Sequence, residues 1–148
     1  MRLDRDAIAR LVPHHGAMCL LEEVLECDEN AIACRATSHR DPANPLRTAA
    51  GLPAIMGVEY AAQAVAVHGS LASKAEQQKG YLAALRDVLF SVERLDDAPG
   101  DLVVRTTRVA AESGRLLYDF RIAAGGRELL KGRLSIVLIH DKSAGHRR

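Results

Sequence analysis

One carboxylate stands inside an otherwise uncharged run. Glu59 falls within residues 55–67, where every other member is apolar, glycine or tyrosine except Gln63. An unpaired carboxylate in a protein interior costs several kcal/mol. It persists where the charge has work to do or where it has a partner. The work would be general acid/base chemistry. The other reading pairs Glu59 with Gln63, four residues on along one helix face, at water or at a subunit boundary. His39 opens a polar, proline-bearing loop over residues 38–51, twenty residues ahead of Glu59. Its ring is a solvated loop histidine, a partner of Asp41, or a group that the loop brings over the start of the helix. His68, nine residues past Glu59, falls on a different helix face and reads as a helix-end residue.

Composition narrows the chemistry. The chain has 148 residues with 20 Lys and Arg against 19 Asp and Glu, a net charge of +1. That balance and only five Phe and Tyr argue against nucleic acid as a partner. The three cysteines, Cys19, Cys27 and Cys34, lack zinc-ligand spacing and read as reduced thiols. No phosphate-binding loop, dinucleotide fingerprint, G-x-S-x-G or metal-ligand cluster is present, so no cofactor or metal is expected. The first residues carry acids and lack a signal-peptide core, and the longest apolar stretch is broken by Glu59 and Gln63. These features predict a cytoplasmic protein without a membrane span.

The elements that must position these groups follow from pattern. Asp4 or Asp6 caps a short helix reaching about Leu11, and Pro13 ends it. Residues 18–27 and 31–37 flank Asp28-Glu29-Asn30 as a hairpin. Residues 53–70 form one long helix, with Pro53 in its first turn and Gly69 as its stop. Its apolar character nearly all round predicts burial on most sides. Four strands follow, over residues 81–95, 102–111, 116–123 and 128–139, separated by Gly-containing turns. Residues 141–148 read as a frayed tail. Helix and strands are segregated, which predicts one α+β domain over residues 1–148: an antiparallel sheet wrapped around a central helix.

Val12-Pro13-His14-His15-Gly16-Ala17-Met18-Cys19-Leu20-Leu21-Glu22-Glu23-Val24 resembles the L-P-H-R-x-P-x-L-L-x-D-R-V segment of bacterial 3-hydroxyacyl-acyl carrier protein dehydratases. Glu59-Tyr60-Ala61-Ala62-Gln63 resembles their central-helix E-A-M-A-Q. Residues 39–47 and 80–88 are closer still to a divergent subgroup encoded with aryl-polyene lipid pathways. The resemblance implies a hotdog fold, a dimer with an acyl tunnel between two central helices, and fatty acid or aryl-polyene biosynthesis. It implies a substrate held on the phosphopantetheine of an acyl carrier protein.

The same resemblance carries roles onto particular residues. Glu59 becomes the catalytic carboxylate; His39, by its place in the loop before the helix and not by the resemblance, is the candidate imidazole. Gln63 and His14 match tunnel positions, and Ala54 matches the glycine whose amide polarises the thioester. Asn44 lies in the substrate-facing loop. Arg40, Arg47 and Arg86 are candidates for an acidic carrier protein or its phosphate; ordinary solvated arginines are the other reading. Two positions depart from the family. Pro45 stands where its catalytic histidine begins H-F-P-G, and Ala54 replaces the glycine. Three functions remain open. The first is a lyase making trans-2-enoyl thioesters. The second is a catalytically impaired partner subunit in a dehydratase heterodimer, and the third is an acyl thioesterase.

Overall fold

The computed structural model describes residues 2–12, 16–73 and 79–139. The expected tail and His14 lie outside them. The described chain runs β1 (Leu3–Asp4), α1 (Arg5–Ala9), β2 (Glu23–Cys27), β3 (Ala31–Ala36), α2 (Gly57–Ser73), β4 (Lys79–Phe90), β5 (Leu102–Glu112), β6 (Arg115–Ala124) and β7 (Arg127–Ile139). Single 3-10 turns stand at Gly16–Met18, Ser38–Arg40 and Ala54–Met56. The seven strands form one antiparallel sheet in the order β1-β2-β3-β5-β6-β7-β4, with α2 across its inner face. This is the α+β hotdog arrangement that the sequence predicts.

Alternation builds the sheet. Leu102, Val104 and Thr106 of β5 point inward with Tyr118, Phe120 and Ile122 of β6, while Val103, Arg105 and Thr107 point out. Asp28 turns the first hairpin by accepting from the backbone N–H of Asn30 and Ala31, each at 2.8 Å. Asp4 caps α1 through the Ala7 N–H. The inward side chains of the sheet and the buried side of α2, including Tyr60, Ala61, Ala64 and Val67, make one core.

Several boundaries differ from the pattern, the long helix among them starting at Gly57 after a 3-10 turn, and three of the differences have a tertiary reason. The first hairpin strand begins at Glu23, because the Leu20 N–H is bonded to a side chain of α2 instead of a strand. The helix passes through Gly69 and ends at Ser73, since Ser70 is buried and Leu71 packs on the core. That packing outweighs the roughly 1 kcal/mol a helical glycine costs. Strand β4 stops at Phe90 and not Leu95. Beyond it Arg94 bridges Pro53, and the Leu95 N–H donates to Leu52 O.

Strand β4 is an edge, paired only with β7. It is interrupted by bulges between Leu82 and Ala84 and between Arg86 and Leu89, the second holding Asp87 in the left-handed region at φ 54°. Tyr81, Leu85, Leu89 and Phe90 of this strand are exposed by 53, 37, 61 and 48%.

Candidate functional site

Glu59 lines a groove of about 220 Å³ together with Ala62, Ala66 and Gly69 of α2. These positions recur at three- and four-residue steps and share one helix face. Tyr81 and Leu82 of the edge strand and Leu116, Ile136 and Leu138 of β6 and β7 close the other side. The groove is apolar apart from Glu59 and the tyrosine. Glu59 makes no hydrogen bond or ion pair among the described residues. Its carboxylate is thus a lone charge at one end of an apolar trough, and no imidazole lines that trough among the described residues.

Gln63 does not pair with Glu59. Its Oε1 accepts from the Leu20 N–H at 2.9 Å, and its Nε2 donates to Met18 O. The side chain is almost fully buried and ties the helix to the segment that follows His14. Asn44 is engaged in the same way. Its Nδ2 donates to Ser38 O and to the Tyr60 hydroxyl, and its Oδ1 accepts from the Leu46 N–H. Ser38 donates to Leu20 O, so the Tyr60 hydroxyl donates to Ser38 Oγ at 2.8 Å. Burial pushes the Tyr60 phenol up, which keeps it a donor. Ser38 and Tyr60 brace the loop on the helix, and nothing in their spacing of twenty-two residues signals it.

His39 is fully buried. Its Nε2 lies 3.0 Å from the Gly100 carbonyl, so that nitrogen carries the proton and donates. Its Nδ1 makes no hydrogen bond among the described residues. Burial lowers the ring's pKa, with Arg40 adding to the effect, so the ring is held neutral. His39 makes no contact with Asp41 or Glu59 among its hydrogen bonds; it fastens the loop to the turn before β5. Neighbouring contacts fasten it further. Arg40 pairs with Asp101 at 3.1 Å, and Arg47 reaches Asp96 at 3.5 Å while donating to Asp41 O. Asp96 also accepts from Arg94 and from the Leu52 N–H. The Arg94 guanidinium holds the Asp96 carboxyl well below the usual carboxylate range.

The Ala54 N–H, the amide singled out by the resemblance, donates to Glu93 O at 2.9 Å. Arg86 is exposed on β4, opposite Arg133, with no ion pair among the described residues. The structure therefore separates the expected site residues. Glu59 faces the groove, His39, Arg40 and Arg47 bind the loop to residues 94–101, and Gln63 and Asn44 hold backbone. His68, read from sequence as a helix-end residue, is instead a buried link. Its Nε2 donates to Asp28 O at 2.8 Å, and its Nδ1 accepts from the Tyr118 hydroxyl at 2.6 Å. A second, larger cleft of about 920 Å³ lies between residues 90–99 and 124–129 and does not include Glu59.

The family model ApeP-like, described as ApeP dehydratase, matches residues 6–145. The chain belongs to this family. It is thus a member of a hotdog dehydratase family, as its motifs imply. No match was found among the curated proteins. Among solved structures it is similar to the dehydratase heterocomplex ApeI:P from Xenorhabdus doucetiae, with a TM-score of 0.81, 24% identity and 93% of each chain covered. It is similar also to AziG of S. sahachiroi, with a TM-score of 0.62 and 11% identity over 88% of this chain and 99% of that one. The thioesterase HI1161 from Haemophilus influenzae gives 0.63 and 14% identity over 93% and 92%. At these identities the structural likeness speaks for the fold. No described helix is long and apolar enough to cross a membrane.

Proposed function

We propose that this chain is the catalytically incomplete subunit of a hotdog dehydratase pair, and that the pair converts 3-hydroxyacyl thioesters on an acyl carrier protein to trans-2-enoyl thioesters. The observation that carries this reading is the commitment of His39 to the Gly100 carbonyl. With Pro45 at the family's histidine position, the described chain offers Glu59 a groove but no imidazole. The heterocomplex of the similar ApeI:P structure supports a second hotdog chain as the source of that ring. The occupied Ala54 amide fits the same division of labour, since the thioester carbonyl then needs donors from the partner.

Dehydration removes a proton from C2 and the hydroxyl from C3 as water, leaving a C2–C3 double bond. It needs a base and an acid on either side of those two carbons. In this reading the partner's imidazole and Glu59 of this chain divide the two tasks across the interface. The test uses a hotdog dehydratase co-purified with this chain and a 3-hydroxyacyl carrier protein. The chain alone should give no enoyl product. Glu59→Gln, which keeps size and hydrogen bonding, should lower turnover of the pair by about 10²–10⁴ with assembly intact. Turnover by the isolated chain would overturn the proposal. A Glu59→Gln pair within twofold of the parent would remove Glu59 from the shared site.

A further inference from the structure

Between residues 57 and 70 of α2 every residue is buried except Glu59, Ala62, Ala66 and Gly69. Steps of three, four and three place these four in one line along the helix. All four line the groove. At 1.5 Å per residue the line runs about 15 Å from the residue with the carboxylate to the glycine. Past Glu59 it carries two methyl groups and then bare backbone.

Gly69 is unfavourable where it stands. Glycine weakens a helix relative to alanine, and α2 runs on for four residues beyond it. Such a residue calls for a reason in packing or function. Its place in the groove wall supplies one, because any side chain there would stand in the trough. The facing edge strand is bare in the same way at Gly80. A Cβ on Gly80 would stand 2.9 Å from Ile136 Cγ2 and 3.3 Å from Leu138 Cδ2, two side chains that form the opposite wall. Spread over its 15 Å or so, the groove's 220 Å³ leaves a section of about 15 Å², the width of one extended chain. Carbon–carbon bonds of about 1.5 Å advance such a chain by about 1.25 Å per carbon, so about twelve carbons span the line.

We propose that Gly69 determines which acyl chains this groove takes. With no side chain at that position, a chain whose 3-hydroxyl end lies at Glu59 passes Ala62 and Ala66 and has room for about twelve carbons. A side chain at position 69 would close the stretch beyond Ala66, which is about 4.5 Å or three to four carbons long. The inference deepens the functional reading above and rests on it for the acyl class of the ligand; the length limit rests on the geometry of the helix.

The test is a titration of 3-hydroxyacyl pantetheine thioesters into the ¹⁵N-labelled full chain, in a series running from well short of that length to well past it. Affinity for the parent should climb by up to about fourfold per added methylene and level off once about twelve carbons lie beyond the 3-hydroxyl. Amide shifts from the long members should reach Ala66 and Gly69. In Gly69→Leu the levelling should come three or four carbons sooner, with the shortest members bound as tightly as by the parent. Gly69→Ala favours the helix, so it guards against a change in folding, and it should level sooner by a smaller step. A parent series that never levels, the same levelling length in Gly69→Leu, a uniform loss across the series, or long-member shifts that miss Ala66 and Gly69 would each overturn the assignment. Binding is read on the chain without partner or turnover. An inactive pair would therefore remove the subunit reading while the length series stands, and a series without the break would remove this assignment while the reading stands.

Discussion

Replacing Gln63 by leucine separates a structural role from a substrate contact. In the native chain the Gln63 amide closes a buried hydrogen bond from the Leu20 N–H and a part-buried one to Met18 O. Leucine fills nearly the same volume but offers neither partner. Each bond contributes about 0.5–1.5 kcal/mol net, and a buried group left without a partner costs about 1–3 kcal/mol. Leu20 is wholly buried, so no water replaces the lost acceptor at its N–H. Burying the leucine side chain offsets part of this, by about 1 kcal/mol. The expected net loss is about 2–4 kcal/mol. Urea unfolding at one fixed protein concentration reads it as a lower midpoint at unchanged slope. A loss under about 1 kcal/mol, joined to a large fall in turnover of the assembled pair, would refute the reasoning. It would return Gln63 to the substrate.

Two further outcomes follow from the same geometry. Burial holds the His39 and His68 rings below the ordinary imidazole pKa of about 6.5, so the unfolded chain takes up protons first as the pH falls. Their contribution to stability should be complete above about pH 6.5 and decline below it, as a falling urea midpoint between pH 7.5 and 5; His39→Gln should flatten part of that decline. Gly51→Ala should cost about 2 kcal/mol in the same assay, because the new Cβ would stand 2.5 Å from Arg94 Nε at a backbone φ of 111° that only glycine takes readily; an unchanged midpoint would show that the Arg94–Asp96 clamp is slack.

The parts of this molecule that repeat locally were legible in its residues. Alternation over residues 102–109, the capping Asp4 and the alanine-rich run around Glu59 each carry their own signal within a few positions. The lone charge of Glu59 stood out for the same reason. What escaped is what joins distant residues. Gln63 and Leu20 are 43 apart, His68 and Tyr118 are 50 apart, and His39 meets a carbonyl 61 residues on. A buried polar side chain announces that it has a partner and not which one. His39 shows the cost most clearly, since its place at the head of a polar loop suits an exposed, reactive ring as well as a buried fastener. Gly69 misled in the opposite direction, where a local stop signal lost to the packing of Ser70 and Leu71.

The two bulges of β4 bear on how the chain behaves when crowded. An uninterrupted edge with four uncovered apolar side chains is a template for endless strand addition. Here each bulge changes the twist and offsets the pairing, and Asp87 holds a backbone turn that a flat, in-register stack has no room for. Only short straight runs remain between them, too short to seed a fibre yet long enough for one partner shaped to the same kinks. The interruptions work as a key: a matching strand fits in a single register, and a copy slid by one residue would turn its apolar side chains toward water.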